Sequence, residues 1–398
     1  MATFAAKSFD AAAYARARPT YPQQLFRHVL SAVAPPPPTT SPPKPRTLLD
    51  LGCGPGLSTF DWSPLLPHRF DRVIGIDPSP GMVNTARSIF AEKRAKGELG
   101  EGGKADWRFE VARADSLEGV VEDESVDLAI AGQAAHWFDA EKTYKELARV
   151  LKPGGAFAFW GYGEMFFPDR PELTALVSPY SSGTLGPYWE QPGRSIVEAL
   201  LSPIPFPSSA SSATEETTPH DRTSPSSTTS SRSPAETQST STDDLLKHAF
   251  DEESYRRLFF LRPGGGPPPL SGARPAPHHG DGQSSSPSVT NPSAEIEIHH
   301  TLLLRREWDL SAIHAYLKTW SAAHSFNKAH SSEVTPNEGA SGPGSSNGSA
   351  AARSGEEGMQ RRDCTEVFCE DLVQAGLGKE EKVEVAWELG IMVGRKKA

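Results

Sequence analysis

Gly52, Gly54 and Gly56 fall at alternate positions directly after the run Leu48-Leu49-Asp50-Leu51. A buried parallel strand that turns into such a loop lets a ligand lie close to bare backbone. A helix opening near Thr59 would then point free N–H groups at an anionic ligand group. Two nucleotide-type ligands compete for this loop. A dinucleotide fingerprint is G-x-G-x-x-G. Here the spacing is G-x-G-x-G, with Leu57 where the third fingerprint glycine would sit. The tighter spacing suits a ligand without a pyrophosphate, such as S-adenosylmethionine, whose amino-acid end would lie over the loop.

Further polar residues follow at the ends of successive apolar runs. Asp77 closes Val73-Ile74-Gly75-Ile76, where a carboxylate can accept both hydroxyls of a ribose. Asp115 follows the third such run and could accept from an adenine exocyclic amine. Gln133 to Asp139 (QAAHWFD) follows the fourth, at the crevice where doubly wound sheets bind ligands. Taken singly, each has a plainer reading. The glycines could be ordinary turn residues, Asp77 a helix cap before Pro78 and Asp115 a loop acid. His136 and Trp137 could be packing residues. Their co-occurrence in order, at the ends of consecutive strands, favours the cofactor reading.

The elements that must position these residues alternate in type. Strands are expected at Thr47–Leu51, Arg72–Asp77, Trp107–Ala112, Val126–Ala131 and Ala156–Trp160, and helices at Pro22–Val33, Gly81–Lys96 and Asp139–Leu151. Such alternation predicts an α/β fold with a doubly wound, mostly parallel sheet. Farther on, Glu295–Arg305 and Lys382–Gly394 read as two late strands, the last pair forming an antiparallel hairpin or edge arrangement. Asp309–Phe326 reads as one helix capped by Asp309, with Ile313, Tyr316, Leu317 and Trp320 on one face. Five early and two late strands give a Rossmann-like, seven-stranded sheet with helical cap elements.

Composition bounds the rest. Of 398 residues only 37% are hydrophobic, with 36 prolines and 34 glycines, so part of the chain is expected to be disordered. Residues 202–241, 263–294 and 327–358 are Ser-, Pro- and Gly-rich and read as disordered loop insertions, which cost little stability for their length. The prolines at 35–38, 42, 43 and 45 predict a stiff spacer. The expected divisions are a lid and spacer over 1–45, a cofactor-binding core over 46–162, and a substrate cap with C-terminal strands over 163–398. A net charge of −10 argues against nucleic acid and anionic membrane as partners. No apolar run approaches the roughly 20 residues of a membrane helix. Three scattered cysteines make neither a disulfide framework nor a metal site, and fit a reducing, cytoplasmic location.

The motifs DLGCGPG, VIGIDPSPGMV and ELARVLKPGG resemble class I S-adenosylmethionine-dependent methyltransferases. RPTYP (18–22), AHWFD (135–139), WGY (160–162), FPDRPE (167–172), LGPYWEQPGRS (185–195), TWSAAH (319–324) and VEVAWELG (383–390) are similar to the fungal trans-aconitate methyltransferase group. The resemblance implies that Gly52, Gly54 and Gly56 shape the methionine pocket and that Asp50 helps to orient its ammonium. It also implies that Asp77 holds the ribose and Asp115 the adenine end. Tyr14 and Arg18 would belong to a lid over the cofactor, and Gln133 would also be a cofactor-binding residue. His136, Trp137, Trp160 and Tyr162 would line the face beside the methyl group.

Transfer to a carboxylate needs no general base, because that group is ionised at neutral pH with an ordinary pKa near roughly 4. His136 would then act as an anion-binding donor. A polycarboxylate entering an acidic protein needs a local cation, and Arg194 is the expected bidentate clamp, with Tyr188 and Trp189 as pocket wall. The plainer reading of Arg194 is an ion pair with Glu190 or Glu198. Two other functions stay open: methylation of an amphipathic or secondary-metabolite acceptor, and a cofactor-binding interaction protein without turnover. The sequence names no protein partner.

Overall fold

A computed structural model of the chain describes residues 10–33, 45–67, 69–207, 246, 249–266, 268, 294–331 and 363–398. The proline spacer and most of the three Ser/Pro/Gly-rich insertions lie outside the described residues. Five strands form the parallel half of the sheet: β1 (Thr47–Leu51), β2 (Arg72–Asp77), β3 (Asp106–Val111), β4 (Val126–Gly132) and β5 (Leu151–Phe166). Their spatial order is β3-β2-β1-β4-β5. The direction of winding therefore reverses between β1 and β4, and the crevice at the carboxyl ends there is the natural ligand site. All five residues of β1 are buried, as a central strand covered on both faces requires.

Among the described residues the sheet has nine strands rather than the expected seven. Beyond β5 come β6 (Phe250–Phe260), β7 (Glu295–His299), β8 (Leu304–Trp308) and β9 (Val383–Lys396). β9 does not lie at an edge. It runs antiparallel to β5 on one side, and on the other pairs β8 along its first half and β6 along its second. Its near-continuous burial is what an interior strand demands, and Gly390 leaves room for the Leu200 carbonyl, which a Cβ would overlap. β6 opens with Phe-Asp-Glu-Glu-Ser and lacks the alternation that marks a half-buried strand, so its pattern predicted nothing. β7 pairs only with β6, and its Ile296 and Ile298 remain exposed, unlike typical core-facing strand residues.

Helices cover both faces. α1 (Ala11–Ala17) and α2 (Gln23–Ala32) precede the sheet, and α2 buries Leu25, Phe26 and Val29. The short α3 (Leu57–Asp61) follows β1, α4 (Pro80–Ala95) follows β2, and α5 (Ala140–Val150) follows β4. α4 is capped by Ser79 and α5 by Asp139, each accepting a backbone N–H of the first turn. α6 (Pro171–Ser178) runs into a π-helical turn, Pro179–Thr184, and α7 (Gly193–Glu198) follows. The expected single helix from Asp309 is two, α8 (Leu310–Leu317) and α9 (Ser321–Ser331), with α10 (Cys364–Gln374) behind them. The break has a local cause: the Thr319 hydroxyl bonds back to the Tyr316 carbonyl at 2.6 Å. The predicted face of Ile313, Tyr316, Leu317 and Trp320 is buried.

Two insertion edges also differ from expectation. Residues 202–207 cross the sheet, burying Ile204 and Phe206. Arg257, 2% exposed, ties them down by donating to the carbonyls of Leu201 at 3.2 Å and Ile204 at 2.6 Å. Residues 327–331 continue α9. Serine and proline content hid the apolar pair Ile204 and Phe206, whose burial outweighs it.

Candidate active site

The loops after β1, β2 and β4 meet α1, the end of β5, α7 and the α8–α9 turn around one cavity of about 440 Å³. At its first end, Gly52 and Gly54 hold the left-handed backbone that the turn requires, with φ of 70° and 55°. A Cβ on Gly52 would stand 2.7 Å from that of Ala134, whereas one on Gly54 would meet nothing. Asp77 ties this loop to the next: one carboxylate oxygen accepts the Gly54 N–H at 3.0 Å and the other the Ser79 N–H at 2.8 Å. Each oxygen keeps a lone pair for a further donor. Burial pushes the Asp77 carboxyl up, opposed by those two N–H groups.

Above the loop, α1 carries Tyr14, and Arg18 follows. The Arg18 guanidinium donates to the Tyr162 hydroxyl at 2.9 Å and to the Thr319 carbonyl at 3.1 Å, the carbonyl left free by the break between α8 and α9. Its Cζ lies 4.9 Å from the Tyr14 ring centre and 5.3 Å from that of Tyr316. No carboxylate pairs with Arg18 among the described residues, and its buried Nε has no partner. Gln133 adopts φ of 55° and exchanges both bonds of its amide with the backbone of Tyr162, at 2.8 and 3.1 Å. It thereby fastens the end of β4 to β5. His136 and Trp137 form a 3₁₀ turn against which Gly193 presses: a Cβ there would lie 3.1 Å from Trp137 and 3.3 Å from His136. Burial first, and the Arg18 charge second, push the His136 imidazole down to about 3, and its Nδ1 has no hydrogen-bond partner among the described residues.

The far end is a polar network on aromatic walls. Arg194, with a side chain 10% exposed, donates Nε to Glu198 at 2.7 Å and Nη2 to Glu164 at 3.2 Å and to Ser181 at 3.3 Å. Its Cζ stacks 4.3 Å from the Trp189 ring centre, and the Trp189 N–H is fixed by the Ser181 carbonyl at 2.7 Å. The plainer reading of Arg194 holds in part, since the ion pair with Glu198 is present. The clamp is therefore already paired with two acids.

The methyltransferase-domain family model matches residues 49–159, the stretch holding the glycine loop, Asp77 and the His136 turn. This chain carries a class I S-adenosylmethionine-dependent methyltransferase domain. CRG1 of Saccharomyces cerevisiae, named as a candidate S-adenosylmethionine-dependent methyltransferase, is 31% identical over 193 residues, 48% of this chain and 59% of that protein. An uncharacterized methyltransferase of Schizosaccharomyces pombe is 30% identical over 177 residues, 44% of this chain and 60% of that protein. The aligned part thus spans under two thirds of these relatives. A solved protein of Anaeromyxobacter dehalogenans, studied as a candidate type II methyltransferase, matches at 19% identity with a TM-score of 0.46, covering 95% of this chain and 97% of its own.

The residues around the cavity fit this cofactor. Bare backbone at Gly52 and Gly54, the Asp77 carboxylate and the Arg18 Nε, which has no hydrogen-bond partner among the described residues, would offer a cradle, a diol acceptor and a carboxylate donor. Five expected site residues do not line the cavity. Asp50 is fully buried beneath the loop, accepting the hydroxyls of Ser58 at 2.8 Å and Thr59 at 2.6 Å. Gly56 makes room for the Phe60 ring. Asp115 grips the Arg113 guanidinium through two bonds at 2.8 and 2.7 Å and lines a small adjoining pocket that shares Gly52, Pro78, Arg113 and Trp137 with the cavity. Trp160 lies on the same face of β5 as Tyr162 but is fully buried, packed edge-on against Tyr21 at 5.6 Å and Phe26 at 6.0 Å. Tyr188 packs on Phe326 at 5.1 Å. Sequence reasoning missed Arg113, Glu164, Ser181 and Tyr316. The expected strand ended at Trp160, whereas β5 runs on to Phe166 and carries Glu164 into the cavity wall beside a bulge between Tyr162 and Met165.

Proposed function

We propose that the protein transfers a methyl group from S-adenosylmethionine to a carboxylate of a small organic acid, with trans-aconitate or a related polycarboxylate as acceptor. The observation that carries this reading is that two of the three arginines lining one cavity stand at its two ends, Arg18 near the glycine loop and Arg194 beyond β5, while the third, Arg113, is gripped by Asp115. One cation suits the cofactor's own carboxylate and the second suits an acceptor's. The motif resemblance around AHWFD, WGY and GPYWEQPGR supports the same acceptor class. Three cysteines, all free and buried, support a reducing compartment, for which we propose the cytoplasm.

The cofactor when bound supplies an electrophilic methyl group on a sulfonium centre. The chain's task is to align the acceptor and exclude water. Trp137, Trp189, Trp320 and Tyr316 form apolar walls around the reacting region. An ionised carboxylate has no proton to remove, so its oxygen forms the new bond directly while the carbon–sulfur bond breaks, and the opposite charges of the two reactants cancel. His136, held neutral at physiological pH, suits a hydrogen-bond donor to the acceptor better than a base.

A second reading has support of its own. The aromatic walls, and the two carboxylates already on Arg194, favour an amphipathic or secondary-metabolite acceptor with little charge. Arg194→Ala separates the two. A carboxylate acceptor is expected to lose about 10- to 100-fold in kcat/KM, the worth of a charge-assisted hydrogen bond. Equal, small losses for trans-aconitate and an uncharged acceptor would favour the second reading.

A further inference from the structure

We propose that Glu164 is a specificity-determining residue, whose carboxylate occupies the seat on Arg194 that an acceptor carboxylate must take over. The inference rests on the carboxylate reading above and deepens it. Of the two acids on Arg194, Glu198 lies along the same helix at i+4, with a side chain 42% exposed, and does not line the cavity. Glu164 does line it, from the end of β5. Glu164 is also bonded to the hydroxyl of Ser181, a fully buried residue on the π-helical turn. Ser181 shares itself with Arg194 Nη2. Arg194 is thus fixed from three sides, by Glu198 on Nε, by Glu164 with Ser181 on Nη2, and by the Trp189 ring beneath. Its Nη1 has no hydrogen-bond partner among the described residues.

A carboxylate binding Arg194 in two-point fashion needs two neighbouring nitrogens. Nε is held by Glu198, so the fork is Nη1 with Nη2, and Glu164 has to give up Nη2. The displaced acid stays beside the newcomer because Ser181 still holds it. One guanidinium against Glu164 and Glu198 leaves the seat formally negative, so each additional charge on the acceptor is opposed at close range. The acceptors this seat favours are acids that present one carboxylate to Arg194 and a hydroxyl or other donor to Glu164. Acids bearing several ionised carboxyls at that end are disfavoured.

The test is a calorimetric titration of trans-aconitate and of its monomethyl ester into protein saturated with S-adenosylhomocysteine, for the wild type and for Glu164→Gln. The amide keeps the shape and removes the charge. The expected result is trans-aconitate binding about tenfold tighter in Glu164→Gln, a smaller gain for the ester, unchanged S-adenosylhomocysteine affinity, and loss of the gain in Glu164→Gln/Arg194→Ala. Glu164→Ala, compared in the same way, guards against a fold defect specific to the amide. Binding by the wild type with no gain in either variant overturns the role of Glu164 and leaves the carboxylate reading standing. Binding that appears only in the variants supports the role of Glu164. No binding of either acid to any of these proteins overturns both.

Discussion

The two ends of the cavity are built by opposite means. The cofactor end is made mainly of backbone and short-range bonds: Asp50 reaches Ser58 and Thr59, eight and nine residues on, and Asp77 accepts N–H groups from its own turn and from the neighbouring loop. Arg18, which donates to Thr319, is that end's long-range exception, whereas the acceptor end is made of side chains gathered from separate segments, with Arg194 meeting Glu164 and Ser181. Parallel strands of the central sheet deliver their carboxyl ends to one crevice whatever the loops contain. Nothing comparable dictates how α7, the π-helical turn and the α8–α9 turn converge, so acceptor choice can change without disturbing the cofactor site.

The largest expected effect breaks the cofactor end from below. Burial raises the Asp50 carboxyl from its ordinary 3.8 to about 7, against the hydrogen bonds from Thr59 and Ser58. Between those values the folded chain holds a proton that the unfolded chain has released. Stability therefore falls as pH rises from about 4 to 7, by up to roughly 4 kcal/mol. Asp61, raised by burial to about 6, adds a slope of the same sign. Denaturant unfolding across this range should show the decline, and Asp50→Asn should remove most of it; an identical slope in the variant would contradict the buried, partly protonated Asp50.

Next in size is Asp77→Ala. Losing a charged acceptor that also braces Gly54 and Ser79 is expected to weaken S-adenosylhomocysteine binding about 100-fold, near 2.7 kcal/mol. Titrations should find Arg194→Ala without this defect. If both variants lose the cofactor equally, the two ends are one cooperative unit and the division drawn above is wrong. The smallest effect concerns Tyr188. Because this half-buried residue packs on Phe326 away from the cavity, Tyr188→Ala should leave S-adenosylhomocysteine affinity within about twofold while costing about 1 kcal/mol of stability. A large affinity loss with normal stability would return Tyr188 to the site.

The same division explains how much could be read in the sequence. β1 and β2 match their expected bounds, because apolar runs ending in Asp50-Leu51 and Asp77 are local signals. The glycine loop was legible for the same reason, since its left-handed turns leave only glycine comfortable. Trp160 was misplaced because a tryptophan beside a site motif serves the core as readily as the cavity, and here Tyr21 and Phe26 cover it. Arg113 was hidden behind Asp115, its own ion-pair partner. Glu164 carried no signal at all: an acid at a strand end acquires its role only when Arg194 and Ser181 arrive beside it. β6 was missed because its pairing with β9, which depends on distant residues, outweighs its weak strand pattern.

The central claim is that the cavity joins a methyl donor to a carboxylate oxygen. It is tested most directly by incubating the protein with S-adenosylmethionine labelled with ¹³C in the methyl group and with trans-aconitate, then following the label by NMR. The account predicts a new methyl-ester resonance that grows in step with S-adenosylhomocysteine. Label that stays on the cofactor under conditions where S-adenosylhomocysteine demonstrably binds would contradict it.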